Sequence, residues 1–359
     1  KRARRGEENM SKKPIVLKLG KDAFGDQAWG ELEKIADVIT IPESTTREQF
    51  LREVKDPQNK LSQVQVITRT ARSVKNTGRF DEELALALPS SVVAVCHTGA
   101  GYDQIDVEPF KKRHIQVANV PDLVSNATAD THVFLLLGAV RNFGIGNRRL
   151  IEGNWPEAGP ACGSPFGYDP EGKTVGILGL GRIGRCILER LKPFGFENFI
   201  YHNRHQLPSE EEHGCEYVGF EEFLKRSDIV SVNVPLNHNT HHLINAETIE
   251  KMKDGVVIVN TARGAVIDEQ AMTDALRSGK IRSAGLDVFE YEPKISKELL
   301  SMSQVLGLPH MGTHSVETRK KMEELVVENA KNVILTGKVL TIVPELQNED
   351  WPNESKPLV

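Results

Sequence analysis

No run of apolar residues approaches the roughly 20 that a membrane-spanning helix requires. Nor does the chain carry a surplus of positive charge. Its formal net charge is −5, whereas nucleic acid or an anionic membrane surface demands a basic face, so neither is expected as a partner. The one basic cluster lies in "KRARRGEENM", ahead of any periodic pattern. Residues 1–9 are read as an expression-tag remnant before a native Met10, the alternative being a nuclear-import signal. Cysteine is scarce: Cys96, Cys162, Cys186 and Cys215 stand far apart without CxxC spacing. That excludes a disulfide framework and a zinc ribbon, and suits a reducing compartment. With no secretory signal recognised, the cytoplasm is the expected location, and the Asn126 and Asn353 sequons are expected to be idle. Internal repeats and low-complexity tracts are also missing.

What is present is an alternation of short β-branched runs with amphipathic stretches over 359 residues, 39% of them hydrophobic and 26% charged. The length favours two domains. "PIVLKLG", "DVITIP", "VQVITRT" and "SVVAVCHTG" read as strands, with helices at "AWGELEKIA" and "FDEELALALP" between them. Strands alternating with helices mean a parallel sheet. After Pro121 a single long helix is expected over Leu123–Glu152, then a Gly- and Pro-rich loop, "GNWPEAGPACGSPFGYDPEGK". A second series follows. "TVGILG", "NFIYHN", "DIVSVNV", "GVVIVN", "SAGLDV" and "QVLGLP" are strands, with helices over Ile183–Leu191, Phe220–Lys225 and Glu269–Ser278. Apolar strands flanked by helices describe a doubly wound fold. A last helix, Ser315–Leu335, is expected to cross back to the first unit. The reading is therefore an α/β protein of two domains: a discontinuous one over 10–120 and 313–359, and a dinucleotide-binding one over 121–312.

Between the strand "TVGIL" and its helix lies Gly179-Leu180-Gly181-Arg182-Ile183-Gly184, a GxGxxG. In that context Gly179 permits a tight turn and Gly181 lets a pyrophosphate approach the backbone. Gly184 lets the helix lie against the strand, whose partner offers free N–H groups at its start. About 20 residues on, a carboxylate would hold the ribose 2′-hydroxyl of NAD. None is there. The second strand ends Tyr201-His202-Asn203-Arg204-His205, and Arg204 suits a 2′-phosphate. NADPH is the expected cofactor, with NADH possible.

"LGLGRIG", "VNTARGAVID", "AGLDVFEYEP" and "LPHMG", in this order and rough spacing, resemble the D-isomer-specific 2-hydroxyacid dehydrogenases, and within them the fungal glyoxylate reductases. The resemblance runs over nearly the whole chain after Met10. It implies a Rossmann-type NAD(P)-binding domain and a flavodoxin-like substrate domain with a cleft between them. It implies that Arg263 grips the carboxylate and carbonyl of a small 2-oxo acid, that His310 is the general acid, and that Glu292 bonds the other ring nitrogen. An anion there favours the imidazolium and fixes its tautomer. Glu290, two residues away, is the alternative carboxylate, but the spacing from Asp287 favours Glu292. His314 is the rival histidine, expected at or past a helix start. Backbone N–H groups of Gly99-Ala100-Gly101, in "CHTGAGYDQID", are implied to bind the substrate carboxylate, with Arg69 reaching the same pocket.

Toward the cofactor the resemblance adds Arg182, Ile183 and Asn203, then Val234, Pro235 and Thr240. It further adds Thr261, Ala262, His310 and Gly312, with Asp287 holding the nicotinamide carboxamide or else capping a turn. "HNTHH", His238 to His242, lacks the helical spacing plus carboxylate of a zinc site, so no metal is expected and its histidines are read as surface loop. Trp155 is a candidate for the far wall of the pocket. The implied reaction is reduction of glyoxylate, and of hydroxypyruvate, to the 2-hydroxy acid. The alternatives are a bulkier 2-oxo acid or a corepressor-like nucleotide-sensing protein. Apolar residues on several faces of the 123–152 helix suggest a homodimer, although a helix buried within one chain has the same pattern.

Overall fold

The computed structural model describes residues 13–21 and 23–359; the expected tag remnant, residues 1–9, lies outside the described residues. The chain forms two compact units, one running through Val124 and resuming at Ser315–Val359, the other spanning Ser125–His314.

In the first unit five strands form one parallel sheet: β1 (Ile15–Leu19), β2 (Asp37–Thr40), β3 (Val64–Thr70), β4 (Ala94–Thr98) and β5 (Gln116–Ala118). Their order is β2-β1-β3-β4-β5, the flavodoxin-like arrangement. Helices cover both faces, so every residue of β4 is buried and the strands read as continuous apolar runs. Leu17, Phe50, Phe80, Leu84, Phe110 and Trp351 share its core. The helix Val316–Thr336 packs on β3 and β4. Its buried Glu323 takes the backbone N–H groups of Ala23 and Phe24 at 3.1 and 2.7 Å.

In the second unit the strands are β6 (Thr174–Leu178), β7 (Asn198–His202), β8 (Glu216–Tyr217), β9 (Ile229–Val232), β10 (Val256–Asn260), β11 (Ile281–Leu286) and β12 (Val305–Gly307). All pair in parallel, in the order β12-β11-β10-β9-β6-β7-β8. This is the Rossmann order, in which the chain reverses direction between β6 and β9. A crevice opens at such a switch point, at the carboxyl ends of the strands.

One expected element divides. Instead of a single helix over Leu123–Glu152 there are two, Ser125–Val140 and Phe143–Ile151. Asn142 takes a left-handed conformation, φ 56°, which interrupts the helical ladder and which asparagine tolerates better than most residues. Its amide Nδ2 donates to the carbonyls of Pro165 and Phe166, both at 3.1 Å, holding the Gly- and Pro-rich loop at the break. Ser125–Val140 packs on the helix Arg182–Leu191 and on β10 and β11, which accounts for its apolar character within one chain. Phe134, Phe143, Leu150 and Ile151 remain exposed. Among the described residues no helix is long and apolar enough to cross a membrane.

Candidate active site

The carboxyl edge of the second sheet gathers the turns after β6, β9, β10, β11 and β12. After β10, the buried Asn260 shapes the next three residues. Its Oδ1 accepts the N–H of Ala262 and its Nδ2 donates to the carbonyl of Arg263, both at 2.9 Å. Arg263 follows as a half-buried side chain whose Nη1 donates to the Ala262 carbonyl at 2.7 Å. Gly264 makes this turn possible: a Cβ there would stand 1.9 Å from the carbonyl carbon of Phe289. Only a bare α-carbon lets the turn after β10 lie against the chain that carries Glu290 and Glu292.

That chain continues from β11. Asp287 is 1% exposed, and its two oxygens accept the N–H groups of Met311 and Gly312 at 2.6 and 2.7 Å. Its backbone carbonyl takes the N–H of His310 at 2.9 Å. Burial pushes the Asp287 carboxyl above the usual carboxylate range, against the pull of those two N–H groups. Of its two expected roles, the structure puts the carboxylate to work holding the turn that presents His310.

His310 has a left-handed backbone, φ 55°, a conformation that costs a β-carbon residue on the order of 1–3 kcal/mol and persists where surroundings impose it. Its Nδ1–H donates to Oε2 of Glu292 at 2.8 Å, leaving Nε2 as the other ring nitrogen. Oε1 of Glu292 accepts the N–H of Phe289 at 2.9 Å. Burial raises the Glu292 carboxyl. The His310 bond and charge, the Phe289 N–H and the Arg263 charge together outweigh it and hold the group below the usual range. Arg263, Glu292 and His310 therefore lie in one electrostatic neighbourhood.

Glu290 is occupied elsewhere. Its Oε1 accepts Nε2–H of His242 at 2.7 Å and its Oε2 the N–H of Glu269 at 3.1 Å. Glu269 reciprocates, taking the N–H of Glu290 at 3.0 Å. His242 is thus a half-buried clamp rather than surface loop. The ligand atoms of His241, His242 and Glu290 do lie within 4.8 Å of one another. The two rings, however, stack at 4.0 Å and 22°. A cation must lie near the plane of each imidazole that ligates it, and two nearly parallel rings share no such point.

The turn after β6 has the shape a pyrophosphate requires. Gly179 has φ 96°, and no atom stands within 4 Å of where a Cβ on Gly181 would be. A Cβ on Gly184 would meet the Gly179 carbonyl oxygen at 2.5 Å. The first intrahelical bond of Arg182–Leu191 runs from Arg185 N–H to the Gly181 carbonyl, so the Ile183 and Gly184 amides precede the helix's own acceptors. Asn203 supports this loop by accepting the Leu180 N–H at 2.8 Å. Arg204 is exposed and forms no hydrogen bond or ion pair with another described residue. Past β9, Val234 is half-buried and Pro235 exposed. The Thr240 hydroxyl, expected near the cofactor, is spent inside its own loop, donating to the Pro235 carbonyl and accepting the Asn237 N–H. Thr261 is buried at the end of β10 beside the half-buried Ala262.

In the first unit, the three carbonyls of Gly99-Ala100-Gly101 are taken by Val120 N–H, Asn119 Nδ2 and His97 Nε2–H at 2.8, 2.8 and 2.9 Å. With its oxygens bound to the protein, the loop leaves the Ala100 and Gly101 amides without an acceptor among the described residues. Such paired amides form an anion-binding concavity. Arg69 departs from expectation. It is fully buried, donates to Gln104 Oε1 at 2.6 Å and lies 4.8 Å over the Phe80 ring. Burial brings it down to about 10. His314 also differs: it lies in the turn before Ser315, and the helix begins at Val316. Trp155 is exposed in a one-turn helix, Trp155–Ala158. Sequence reasoning missed Asn260, whose signal was a polar residue closing the apolar strand "VVIVN".

Residues 133–312 match the family model described as D-isomer specific 2-hydroxyacid dehydrogenase, NAD binding domain. The chain is 44% identical over 335 residues to 4-methyl-2-oxopentanoate reductase A of Aspergillus oryzae, covering 93% of this chain and 99% of that one. A solved glyoxylate reductase from Paecilomyes thermophila has a TM-score of 0.88 at 44% identity, over 93% of this chain and 99% of that one. An NADPH-dependent glyoxylate/hydroxypyruvate reductase from Sinorhizobium meliloti, solved with NADP and malonate, has a TM-score of 0.80 at 32% identity, over 93% and 97%.

Gly264→Ala is expected to destabilise the second unit by about 3 kcal/mol through overpacking against Phe289, read as a lower Tm in scanning calorimetry. A wild-type Tm would contradict the packing argument. Glu292 supplies a pH test. Its folded pKa lies below its unfolded one, so its contribution is present above the ordinary carboxylate range and lost as pH falls through the folded value. The Tm difference between wild type and Glu292→Gln is expected at neutral pH and should shrink as pH falls below the ordinary carboxylate range, vanishing once pH has passed the lowered folded value.

Proposed function

The chain belongs to the D-isomer specific 2-hydroxyacid dehydrogenase family, and within it we propose that it reduces glyoxylate first and hydroxypyruvate second, with NADPH preferred over NADH. At the coarser level it is an NAD(P)-dependent oxidoreductase of 2-hydroxy acids. The Glu292–His310 contact beside the Arg263 turn supports the reduction itself, and the likeness to the solved glyoxylate reductase supports glyoxylate as its substrate. A bound nicotinamide supplies hydride to the carbonyl carbon. Negative charge then develops on the carbonyl oxygen, and His310 donates its Nε2 proton there, a step worth roughly 10²–10⁴-fold. Glu292 holds the ring in one orientation through the Nδ1–H bond. Arg263 grips the carboxylate and the carbonyl through charged hydrogen bonds, each contributing about 1.5–3 kcal/mol. In the first unit, the Ala100 and Gly101 amides offer the donors that a carboxylate needs.

For the cofactor, the Gly179–Gly184 loop and the start of the following helix take the pyrophosphate. Asn203 braces that loop, and Arg204, with no competing partner among the described residues, takes the 2′-phosphate. Val234, Pro235, Thr261, Ala262 and Gly312 line the rest of the carboxyl edge. The proposed partner is a second copy of the chain, meeting at residues 123–152. What supports this is the exposure of Phe134, Phe143, Leu150 and Ile151 there. Free, scattered cysteines support a cytoplasmic setting.

A second reading, a bulkier 2-oxo acid, is favoured by the name of the Aspergillus relative. A nucleotide-sensing binding protein would keep the glycine loop but have no use for Arg263, Glu292 and His310 together.

Glyoxylate, hydroxypyruvate and 4-methyl-2-oxopentanoate, each assayed with NADPH and NADH by the loss of reduced-nicotinamide absorbance, test the reading. The highest kcat/KM is expected for glyoxylate with NADPH. A preference for the branched acid would establish the second reading. Arg204→Ala should raise KM for NADPH by about 10-fold or more and leave NADH unchanged. Equal effects on both cofactors would contradict the 2′-phosphate assignment.

A further inference from the structure

The helix Ser125–Val140 carries one histidine inward. His132 is fully buried, and both ring nitrogens are engaged. Nδ1 lies 2.8 Å from Thr261 Oγ1, and Nε2 lies 2.8 Å from Ser231 Oγ. Ser231 is on β9, and two residues on, Asn233 Nδ2 donates to Ser231 Oγ at 2.9 Å and to the Ser231 carbonyl at 3.2 Å. Asn233 adjoins the glycine loop: a Cβ on Gly179 would stand 2.9 Å from its carbonyl carbon. One imidazole thus joins the ends of β9 and β10 at the switch point of the sheet.

Counting protons gives this chain a direction. The Asn233 amide must present Nδ2 to Ser231, because the reverse orientation would set Oδ1 against a carbonyl oxygen at 3.2 Å. Ser231 Oγ therefore accepts from Asn233. Ser231 is fully buried, and were Nε2 of His132 also to donate to it, its own hydrogen would have no acceptor among the described residues, so that hydrogen goes to Nε2. Burial brings the His132 pKa down to about 3, so the ring is neutral and carries a single proton. That proton must be on Nδ1, and it is donated to Thr261 Oγ1. The Thr261 hydroxyl hydrogen is then left over. Thr261 forms no other side-chain hydrogen bond among the described residues.

We propose that His132 is a positioning residue: its Nδ1–H occupies the Thr261 oxygen and turns the Thr261 hydroxyl into a fixed donor to an acceptor oxygen of the bound dinucleotide. This rests on the reading of the β-strand edge as the dinucleotide site. An unspent donor preorganised there strengthens binding without rearrangement. His132 itself touches neither cofactor nor substrate in this scheme and acts only through Thr261.

Two measurements test it. In full-length protein with ¹⁵N-labelled histidine, the His132 ring is expected in the neutral Nδ1–H form, its signal identified by its loss in His132→Asn. An Nε2–H form or an imidazolium would overturn the proposal. The second is the Kd for NADPH by fluorescence titration. His132→Phe should weaken binding about fivefold, and His132→Asn, whose amide N–H can replace Nδ1–H, should restore most of it. His132→Phe added to Thr261→Val should cost nothing further, whereas a merely structural histidine would give additive losses. Unchanged affinity in a folded His132→Phe, or additive losses, would overturn the proposal. Should His132→Phe fail to fold, the ring tautomer and the Thr261→Val affinity still decide. If wild type bound neither NADPH nor NADH, the dinucleotide reading itself would fall, whatever the tautomer.

Discussion

A carboxylate at the end of one loop holds an imidazole at the end of another, and the second unit is arranged around that contact. Glu292 and His310 are 18 residues apart and follow different strands, so their 2.8 Å hydrogen bond exists only because two turns are locked against each other. Asp287 supplies one lock, a buried carboxylate whose two oxygens and whose backbone carbonyl all grip residues 310–312. Gly264 supplies the other by lacking a side chain where the turn after β10 meets Phe289. The left-handed backbone of His310 is the strain those locks hold in place.

The same economy recurs along the sheet edge. Side chains that could face a ligand are used to shape the backbone that will. Asn203 holds the glycine loop, Asn260 folds the Arg263 turn, and Thr240 closes its own loop. Polar groups buried beside a low-dielectric sheet are costly unless paired. Among the described residues, their pairing leaves the Ile183 and Gly184 amides and the Arg204 side chain without a protein partner along this edge. The first unit repeats the device in the Gly99–Gly101 loop, with carbonyls held inward and amides left over.

Much of this was legible in the residues. Strand runs and their alternation gave both sheets, and the glycine loop lies between β6 and its helix. Glu292 rather than Glu290 bonds His310, as the spacing from Asp287 suggested. What could not be read was conformation at single residues and pairing across long separations. Hydrophobic periodicity passes straight through Asn142, because a left-handed φ leaves no mark on it. His132 sat in a stretch that read as apolar helix, and its partners are 129 and 99 residues away. Arg69 ends a strand where ligands bind, yet its charge is committed to the interior, and only burial reveals that.

The central claim is that His310, held by Glu292, delivers the proton that accompanies hydride transfer. Single-turnover stopped-flow of the NADPH-loaded enzyme with glyoxylate tests it most directly in His310→Ala. Hydride transfer is expected to slow by about 10²–10⁴-fold while the Kd for NADPH stays within about twofold. Hydride transfer at the wild-type rate in that variant would contradict the claim.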